Sequence, residues 1–197
     1  LCAIVDSSPE ALSQLPSYLK EIPRFSELSA ALENLAVDAW IVASSTASHV
    51  YLAQQLLQTD AFVLLEKPIA SSLAEAETLQ ALDTSKLERL MLGHILLFNS
   101  EFRELQYQCQ QRGGFDYASC YRMRPTSHAT HYRDENPFFL TMVHDLYCVQ
   151  SLVNAEEPKI FQAQQHRNSE GVMDLALAQL SWSNGRFGSN RDDWNLI

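Results

Sequence analysis

The stretch from Phe62 to Ile69 places an acid, a lysine and a proline directly after four apolar residues. A short, unbroken apolar run is typical of a strand that is buried on both faces of a parallel sheet. Ligands bind at the carboxyl ends of the strands in open α/β sheets, so we expect Glu66 and Lys67 at a ligand-binding rim. Pro68 lacks an N–H group and fixes its own φ, so the chain must turn there. The alternative is a strand that ends in a solvated ion pair.

A second pair of reactive side chains, His144 and Asp145, lies in an apolar stretch that predicts a helix from about Phe138 to Val153. Hydride transfer from an alcohol needs a base for the hydroxyl proton and a cation near the developing oxyanion. A histidine that titrates near neutrality and a lysine at a strand rim supply these two types. The alternative is that His144 is a core histidine with satisfied hydrogen bonds and that Asp145 only orients a partner.

Several metal-ligating side chains occur in the second half of the chain. They are His128, His131, His144, Asp145 and Cys148. Their spacing matches no recognised zinc pattern, so we predict no metal. We expect the polar residues of the preceding strand and loop to face solvent or to line a substrate cleft; these are Arg122, Arg124, His128 and His131.

The composition excludes several classes of protein. The chain has 197 residues, 46% of them hydrophobic, and a formal net charge of −10, which offers no electrostatic footprint for nucleic acid. No apolar run approaches the length of a membrane span, and no signal peptide opens the chain. The four cysteines have no CxxC spacing and predict free thiols in a reducing compartment, the cytoplasm.

The first half of the chain alternates short apolar runs with helical patterns, which predicts a parallel, doubly wound sheet. The expected strands are residues 1–6, 38–43, 62–65 and 90–94, and the expected helices begin at Pro9, Ser26, His49, Ser72 and Ser100. In a dinucleotide-binding fold, an acid at the end of the second strand binds the ribose hydroxyls, and Asp6 ends the first strand here. A glycine fingerprint should lie about 20 residues earlier, but no glycine precedes Gly93. Either the protein binds no dinucleotide or the N-terminal unit is absent from this sequence.

The pattern changes after Gly113 and Gly114, where the helix from Ser100 to Gln111 ends. Long apolar runs separated by turns then favour an antiparallel sheet. The expected strands are residues 115–123, 160–166 and 172–182, with another from about 186. We therefore predict two domains, residues 1–112 and residues 113–197.

Three stretches resemble the glucose–fructose oxidoreductase, inositol dehydrogenase and MocA family (Gfo/Idh/MocA). They are DAWIVASSTASHVYLA from Asp38, LLEKPIASSLAEAETL from Leu64 and MVHDLYCVQSLV from Met142. Their order and spacing and the SWSNG hairpin also agree with the family. The Glu-Lys-Pro signature is specific in this context, whereas each other stretch alone would be weak.

The resemblance implies a Rossmann domain that binds NAD or NADP, followed by an α+β domain with an open, mostly antiparallel sheet. That sheet often forms the oligomer interface, so a homo-oligomer is expected. The resemblance also implies that the sequence is incomplete at both ends, with the first βα unit missing before Leu1 and the end of the sheet missing after Ile197.

The resemblance further implies roles for individual residues. The cofactor-binding residues would be Asp6, Ser44, Ser45, His49, Glu66, Lys67 and His94. Lys67 and His144 would be catalytic, and the substrate would be bound by Arg122, His131 and Asp145. Many sugar dehydrogenases of the family have an aspartate four residues before the histidine, where this chain has Leu140.

The predicted function is hydride transfer between NAD, with NADP possible, and a hydroxyl or carbonyl group of a small sugar- or cyclitol-like substrate. The leading alternative is a non-catalytic dinucleotide-binding regulator of the same fold, which Leu140 favours. A metal-dependent hydrolase is a third reading. NAD binding followed by a reduction assay on a carbonyl panel separates the three.

Overall fold

A computed structural model describes residues 1–125, 136–153, 157–183 and 185–196. It contains a two-stranded and a three-stranded parallel sheet in the first half of the chain and a four-stranded mixed sheet in the second. The predicted combination of a Rossmann-type parallel sheet and a mostly antiparallel second sheet is confirmed. None of the helices within the described ranges is long and apolar enough to cross a membrane.

The two-stranded sheet comes first in the sequence, and in it β1 (Ile4–Val5) runs parallel to β2 (Arg24–Phe25). Between these strands lies α1 (Pro9–Ser13), and α2 (Leu28–Asn34) follows β2. Ser8 caps α1 as predicted, because its hydroxyl accepts the Ala11 N–H at 3.2 Å.

The central sheet has the order β3 (Ala39–Val42), β4 (Phe62–Leu65), β5 (Leu90–Leu92), and all its strands are parallel. The connections contain α3 (Thr46–Leu56), α4 (Leu73–Gln80) and α5 (Thr84–Leu87). Ser72 is the N-cap of α4, because its hydroxyl oxygen accepts the Glu75 N–H. The predicted start of α3 at His49 is wrong by one turn. Ser45 is the N-cap, and the Ser48 N–H already bonds to its carbonyl.

One face of this sheet forms the first core. Val42, Val63 and Leu65 are almost fully buried against α3 and α4, which contribute Leu56 and Leu79. The side chain of Arg89 joins the end of α3 to β5 by donating to the carbonyl oxygens of residues 57, 59 and 61. These bonds fix the carboxyl end of α3, whose last carbonyl groups have no intrahelical partner.

A long helix, α6 (Ser100–Gln111), leads out of the parallel part of the chain. Asn99 caps it by accepting the Phe102 N–H at 3.0 Å. Gly113 and Gly114 follow with φ values of 82° and 107°, conformations that favour glycine. The division into domains at this point stays a prediction.

The second half contains β6 (Tyr117–Pro125), a π-helical turn (Phe138–Met142), α7 (Val143–Ser151), β7 (Lys159–Arg167), β8 (Met173–Ser181) and β9 (Phe187–Leu196). The sheet order is β6-β9-β8-β7. The strands β7, β8 and β9 pair antiparallel, but β9 pairs parallel with β6. The sheet is therefore mostly antiparallel, as expected, with one parallel pair at this edge. The reason is that β6 precedes α7 and is joined to the hairpins by a crossover, which permits a parallel neighbour.

Helix α7 covers one face of the mixed sheet. Val149 and Val153 pack on Leu180 and Trp182 of the hairpin, and Gly188 lies so close to Trp182 that an added Cβ would be 3.4 Å from the indole ring. On the opposite face Tyr117 stacks on Phe187 with ring centroids 6.0 Å apart. The two faces of β6 therefore differ, one packed on a helix and one exposing aromatic rings.

Candidate functional site

Lys67 lies two residues after the end of β4, which supports the predicted rim position. The Glu66 N–H bonds to the Val42 carbonyl, so pairing with β3 continues up to the residue before the lysine. The Lys67–Pro68 peptide bond is cis. The Lys67 ammonium group donates to the Leu140 carbonyl oxygen at 3.0 Å. The lysine therefore links the end of the central sheet to the π-helical turn before α7.

The π-helical turn explains how Leu140 contributes. The side chain of Leu140 packs on buried Val172, away from the lysine contact, which its main-chain carbonyl makes. Short π-helical segments break the regular i to i−4 bonding of a helix and often occur at functional sites. Where many sugar dehydrogenases of the family have a carboxylate side chain, this chain presents a neutral carbonyl oxygen to Lys67.

Glu66 is held between Lys67 and the end of β5. Its carboxylate accepts the Lys67 N–H at 3.2 Å. A Cβ atom added to Gly93 would lie 3.1 Å from this carboxyl group, so the glycine leaves room for the carboxylate. The Gly93 N–H bonds to the Leu65 carbonyl at 2.7 Å. The Glu66 carboxylate therefore lies against the main chain just beyond β5.

His49 lies inside the fold, with 1% of its surface exposed. Its Nδ1 is 2.7 Å from the Pro68 carbonyl oxygen and its Nε2 is 3.1 Å from the Ser44 carbonyl oxygen. Both ring nitrogens therefore face main-chain acceptors of the two loops at the rim. This geometry favours a structural role, in which His49 would act on a cofactor only through the loops that it holds.

His94, His144 and Tyr147 form a compact cluster where β5 meets α7. The rings of His94 and Tyr147 stack with centroids 4.1 Å apart at 15°. The Leu96 N–H donates to the Tyr147 hydroxyl oxygen at 3.2 Å, and Nδ1 of His144 lies 2.8 Å from the same oxygen. Tyr147 is 9% exposed. It therefore contacts both histidines of this cluster, although sequence reasoning assigned it no role.

Burial favours the uncharged form of both histidines. Burial lowers the pKa of His144 to about 4, and the nearby positive charges of Lys67 and Arg122 act in the same direction. The charge of Asp145 opposes this shift. Burial also lowers the pKa of His94. The Lys67 charge reaches His144, so the two residues predicted to be catalytic share one electrostatic environment.

Arg122 and Asp145 form a bidentate ion pair, with Nε to Oδ2 at 2.7 Å and Nη2 to Oδ1 at 2.8 Å. Their side chains are 22% and 15% exposed. The pair links β6 to the first turn of α7, next to His144 in sequence. The two residues predicted to bind substrate therefore engage each other. His131 and His128 lie outside the described residues.

A cavity of about 490 Å³ lies between α6, β6 and α7. Its walls are mainly apolar and include Cys109, Cys120, Cys148 and Asp145. Burial raises the pKa of both Cys120 and Cys148 to about 11, and the charge of Asp145 adds to this effect. Across the ranges that the model describes, no group of three His, Cys, Asp or Glu side chains could hold a metal ion.

The remaining predicted cofactor residues lie at strand ends. The Asp6 carboxylate follows β1 and accepts the Ser8 N–H through Oδ1 at 2.8 Å. Ser44 and Ser45 follow β3, and the Ser44 and Ser48 hydroxyls bond to each other at 2.7 Å. An oriented carboxylate after β1 and hydroxyls after β3 are groups that a ribose or a diphosphate can use. These residues therefore fit a dinucleotide, although their contacts with one stay a prediction.

The parallel sheet with its polar carboxyl-end rim defines the dinucleotide-binding Rossmann class. A model of the oxidoreductase family with an NAD-binding Rossmann fold, Gfo/Idh/MocA, matches residues 1–94. Over these residues the chain is similar to this family, which confirms the resemblance that the sequence stretches indicated.

The YceM protein of Salmonella typhimurium, whose name places it among the oxidoreductases, is 43% identical over 77 residues, which cover 38% of this chain and 25% of YceM. The fold is similar to that of UDP-N-acetylglucosamine 3-dehydrogenase GnnA from Acidithiobacillus ferrooxidans (TM-score 0.82, 23% identity). It is also similar to that of scyllo-inositol dehydrogenase from Lactobacillus casei with bound NAD(H) and scyllo-inositol (TM-score 0.85, 17% identity). Each structural match covers all of this chain and 62% of the solved chain, so this chain spans about three fifths of their length.

Proposed function

We propose that this chain is part of an NAD-dependent oxidoreductase that transfers a hydride between nicotinamide and a hydroxyl or carbonyl group. The observation that carries the proposal is the convergence of Lys67 from the end of β4 and His144 from α7. The ammonium group contacts the turn that leads into α7, and its charge lowers the pKa of the histidine. The match of residues 1–94 to an NAD-binding family supports the cofactor.

When bound, the nicotinamide supplies or accepts the hydride. The residues of this chain would act on the substrate oxygen. The Lys67 ammonium group is suited to stabilise negative charge on that oxygen, and the strand pairing that continues to Glu66 restricts where the lysine can move. The ring of His144 offers an uncharged nitrogen for a hydrogen bond or a proton. The Arg122–Asp145 ion pair would border the same space and orient the start of α7.

The substrate class is the finer part of the proposal. Relatives of the same fold are named for UDP-N-acetylglucosamine and for scyllo-inositol. Both substrates are rings with several hydroxyl groups, which suits a site with a cation and uncharged histidines. We therefore propose a small sugar- or cyclitol-like substrate.

The cofactor preference rests on Asp6. Its carboxylate is oriented by the Ser8 N–H, and the next residues are serines, so the sequence places no arginine beside it to accept a 2′-phosphate. A negative charge there would repel that phosphate. We expect NAD to bind more tightly than NADP. Competitive titration of the full-length protein tests this, and tighter binding of NADP would contradict it.

A second candidate is a non-catalytic dinucleotide-binding regulator. Leu140 favours it, because its apolar side chain packs on Val172 and leaves Lys67 with a neutral carbonyl partner. A regulator would bind NAD(H) without turning over any substrate.

The deciding experiment uses the full-length protein that contains this chain. NADH binding is measured by fluorescence, followed by oxidation assays on sugars and cyclitols and reduction assays on the matching ketones. Binding with turnover supports the oxidoreductase, and binding with no turnover on any panel member supports the regulator. Failure to bind NAD(H) or NADP(H) would refute both.

Two wider parts of the proposal concern assembly and location. The face of the mixed sheet opposite α7 exposes Tyr117, Tyr121 and Met123, which favours a homo-oligomer through this sheet. All four cysteines are free thiols, which suits a reducing cytoplasm. Sedimentation of the full-length protein tests the first point, and fractionation of its host cells tests the second.

A further inference from the structure

Tyr147 makes three contacts that no other side chain of the site combines within the described ranges. Its ring stacks on His94 just beyond β5, its hydroxyl oxygen accepts the Leu96 N–H, and the same oxygen lies 2.8 Å from Nδ1 of His144. A tyrosine with 9% exposure requires partners for its hydroxyl group. The catalytic role inferred below for Tyr147 rests on the proposed function, whereas its effect on the tautomer of His144 does not.

The hydrogen bonds at the Tyr147 oxygen limit which atom can supply the proton that it shares with His144. One proton must lie between this oxygen and Nδ1 of His144, and either atom could supply it. If Nδ1 supplied it, the oxygen would accept two bonds and the phenol proton would need another acceptor. In the part of the chain that the model describes, Leu96 and His144 are the hydrogen-bond partners of this hydroxyl group. The arrangement that satisfies every group directs the phenol proton to Nδ1.

We propose that Tyr147 is a positioning residue that fixes His144 with its proton on Nε2 and ties the ring to the loop after β5. The neutral ring carries one proton, so an occupied lone pair on Nδ1 leaves that proton on Nε2. His144 then presents a hydrogen-bond donor through the nitrogen that Tyr147 does not use. The stack on His94 prevents the phenol ring from turning away.

The proposal assigns the two groups of the site different tasks. His144 holds and polarises a carbonyl oxygen through Nε2–H and keeps that proton. The Lys67 ammonium group is the group left to supply a proton. In the reduction direction the hydride forms the new C–H bond, the oxygen takes a proton from Lys67, and the lysine becomes a neutral amine.

The first test needs no substrate. In the full-length protein with ¹⁵N-labelled histidine, long-range ¹H–¹⁵N spectra at neutral pH distinguish the two tautomers, and His144→Gln assigns the signal. We expect a protonated Nε2 and an unprotonated Nδ1 at His144. A proton on Nδ1 would overturn the proposal.

The second test replaces Tyr147 by phenylalanine, which keeps the ring stack and removes the hydroxyl group. We expect the Nδ1 resonance to move downfield as its lone pair loses a donor, and kcat to fall about tenfold, the effect of one hydrogen bond. The affinity for NADH should stay unchanged. Tyr51→Phe is the matched control, because Tyr51 is 61% exposed on α3, and it should change neither quantity.

The outcomes separate this inference from the proposed function. If Tyr147→Phe leaves the His144 spectrum and kcat unchanged, Tyr147 is not a positioning residue. If the spectra behave as expected but the protein binds no nicotinamide cofactor, the proposed function is refuted while the tautomer assignment is supported.

Discussion

The end of β4 and the start of α7 bring Lys67 and His144 to the same rim by different kinds of support. Lys67 follows directly on a strand whose pairing continues to Glu66, and a cis proline comes next. His144 stands in the first turn of a helix that follows a π-helical turn. Its ring is fixed by the hydroxyl group of another residue of the same helix, one turn later.

This difference shows that local contacts position one residue of the site and long-range contacts position the other. The main chain around Lys67 is determined within a few residues, whereas the ring of His144 depends on Tyr147 and, through it, on Leu96 of the loop after β5. Two contacts join the parallel-sheet part of the site to the segment that carries His144. Lys67 donates to the Leu140 carbonyl, and the Leu96 N–H donates to the Tyr147 hydroxyl oxygen. A substitution at Lys67 should therefore remove its charge and its contact with the turn before α7, whereas substitutions near His144 should disturb more contacts.

The largest effect is expected from Lys67→Met, which keeps the apolar stem and removes the cation. If the ammonium group stabilises charge on the substrate oxygen, kcat should fall by about 100-fold or more, as for one oxyanion donor. Affinity for NADH should change much less. Lys86→Met is the matched control, because Lys86 lies on α5 and bonds to Gln58, away from the rim. Near-normal turnover of Lys67→Met would refute the catalytic assignment.

The next effect concerns the loops that support Lys67. His49→Leu would leave the carbonyl oxygens of Ser44 and Pro68 without the ring contacts that they have now. We expect the free energy of unfolding to fall by about 1 kcal/mol, the typical net contribution of one hydrogen bond, because a neutral ring donates one proton. Denaturant unfolding without cofactor measures this.

The control for His49 lies on the same helix. Tyr51→Leu changes an exposed side chain and should alter the free energy of unfolding by less than about 0.5 kcal/mol. A His49→Leu protein with unchanged stability but greatly weakened NADH binding would instead support the direct cofactor contact that the family resemblance implied.

The sequence predicted most of the first half of the molecule because its signals are local. Short apolar runs, the serine cap of α1 and the asparagine before α6 decide their elements within a few residues, and Glu-Lys-Pro marks the rim. The start of α3 was misjudged because Thr46, Ala47 and Ser48 carry no strong helix signal, although Ser45 is a competent N-cap.

The second half was less predictable because its decisive contacts join residues that are far apart in sequence. The strands were located, but β6 pairs parallel with β9, which brings Tyr117 next to Phe187. These residues are far apart in sequence, so no local pattern predicts the pairing. Tyr147 was missed for the same reason. Its position three residues after His144 was a usable signal, since residues three apart share a helix face. The contact with Leu96, however, becomes visible only in the fold.

A smaller effect concerns pH. His144 has a pKa of about 4 in the folded chain, below its usual value of 6.5, chiefly because it is buried. Between these values the unfolded chain binds a proton that the folded chain does not, so stability falls as pH drops from about 6.5 to 4. The Tm of His144→Asn should fall less steeply over this window. His94, whose pKa is lowered by burial, is present in both proteins.

The last prediction concerns the cavity beside α7 and compares the reactivity of buried thiols with that of an exposed thiol. A pKa of about 11, against an ordinary value of 9, leaves Cys120 and Cys148 with about 100-fold fewer thiolates at neutral pH. Because the thiolate is the nucleophile, iodoacetamide should modify exposed Cys2 first and these two residues last, as peptide mass spectrometry would show. In denaturant all sites should react at similar rates, which serves as the control. If Cys148 reacts as fast as Cys2 in the folded protein, α7 is not packed firmly on β6, and the fixed ring of His144 loses its support.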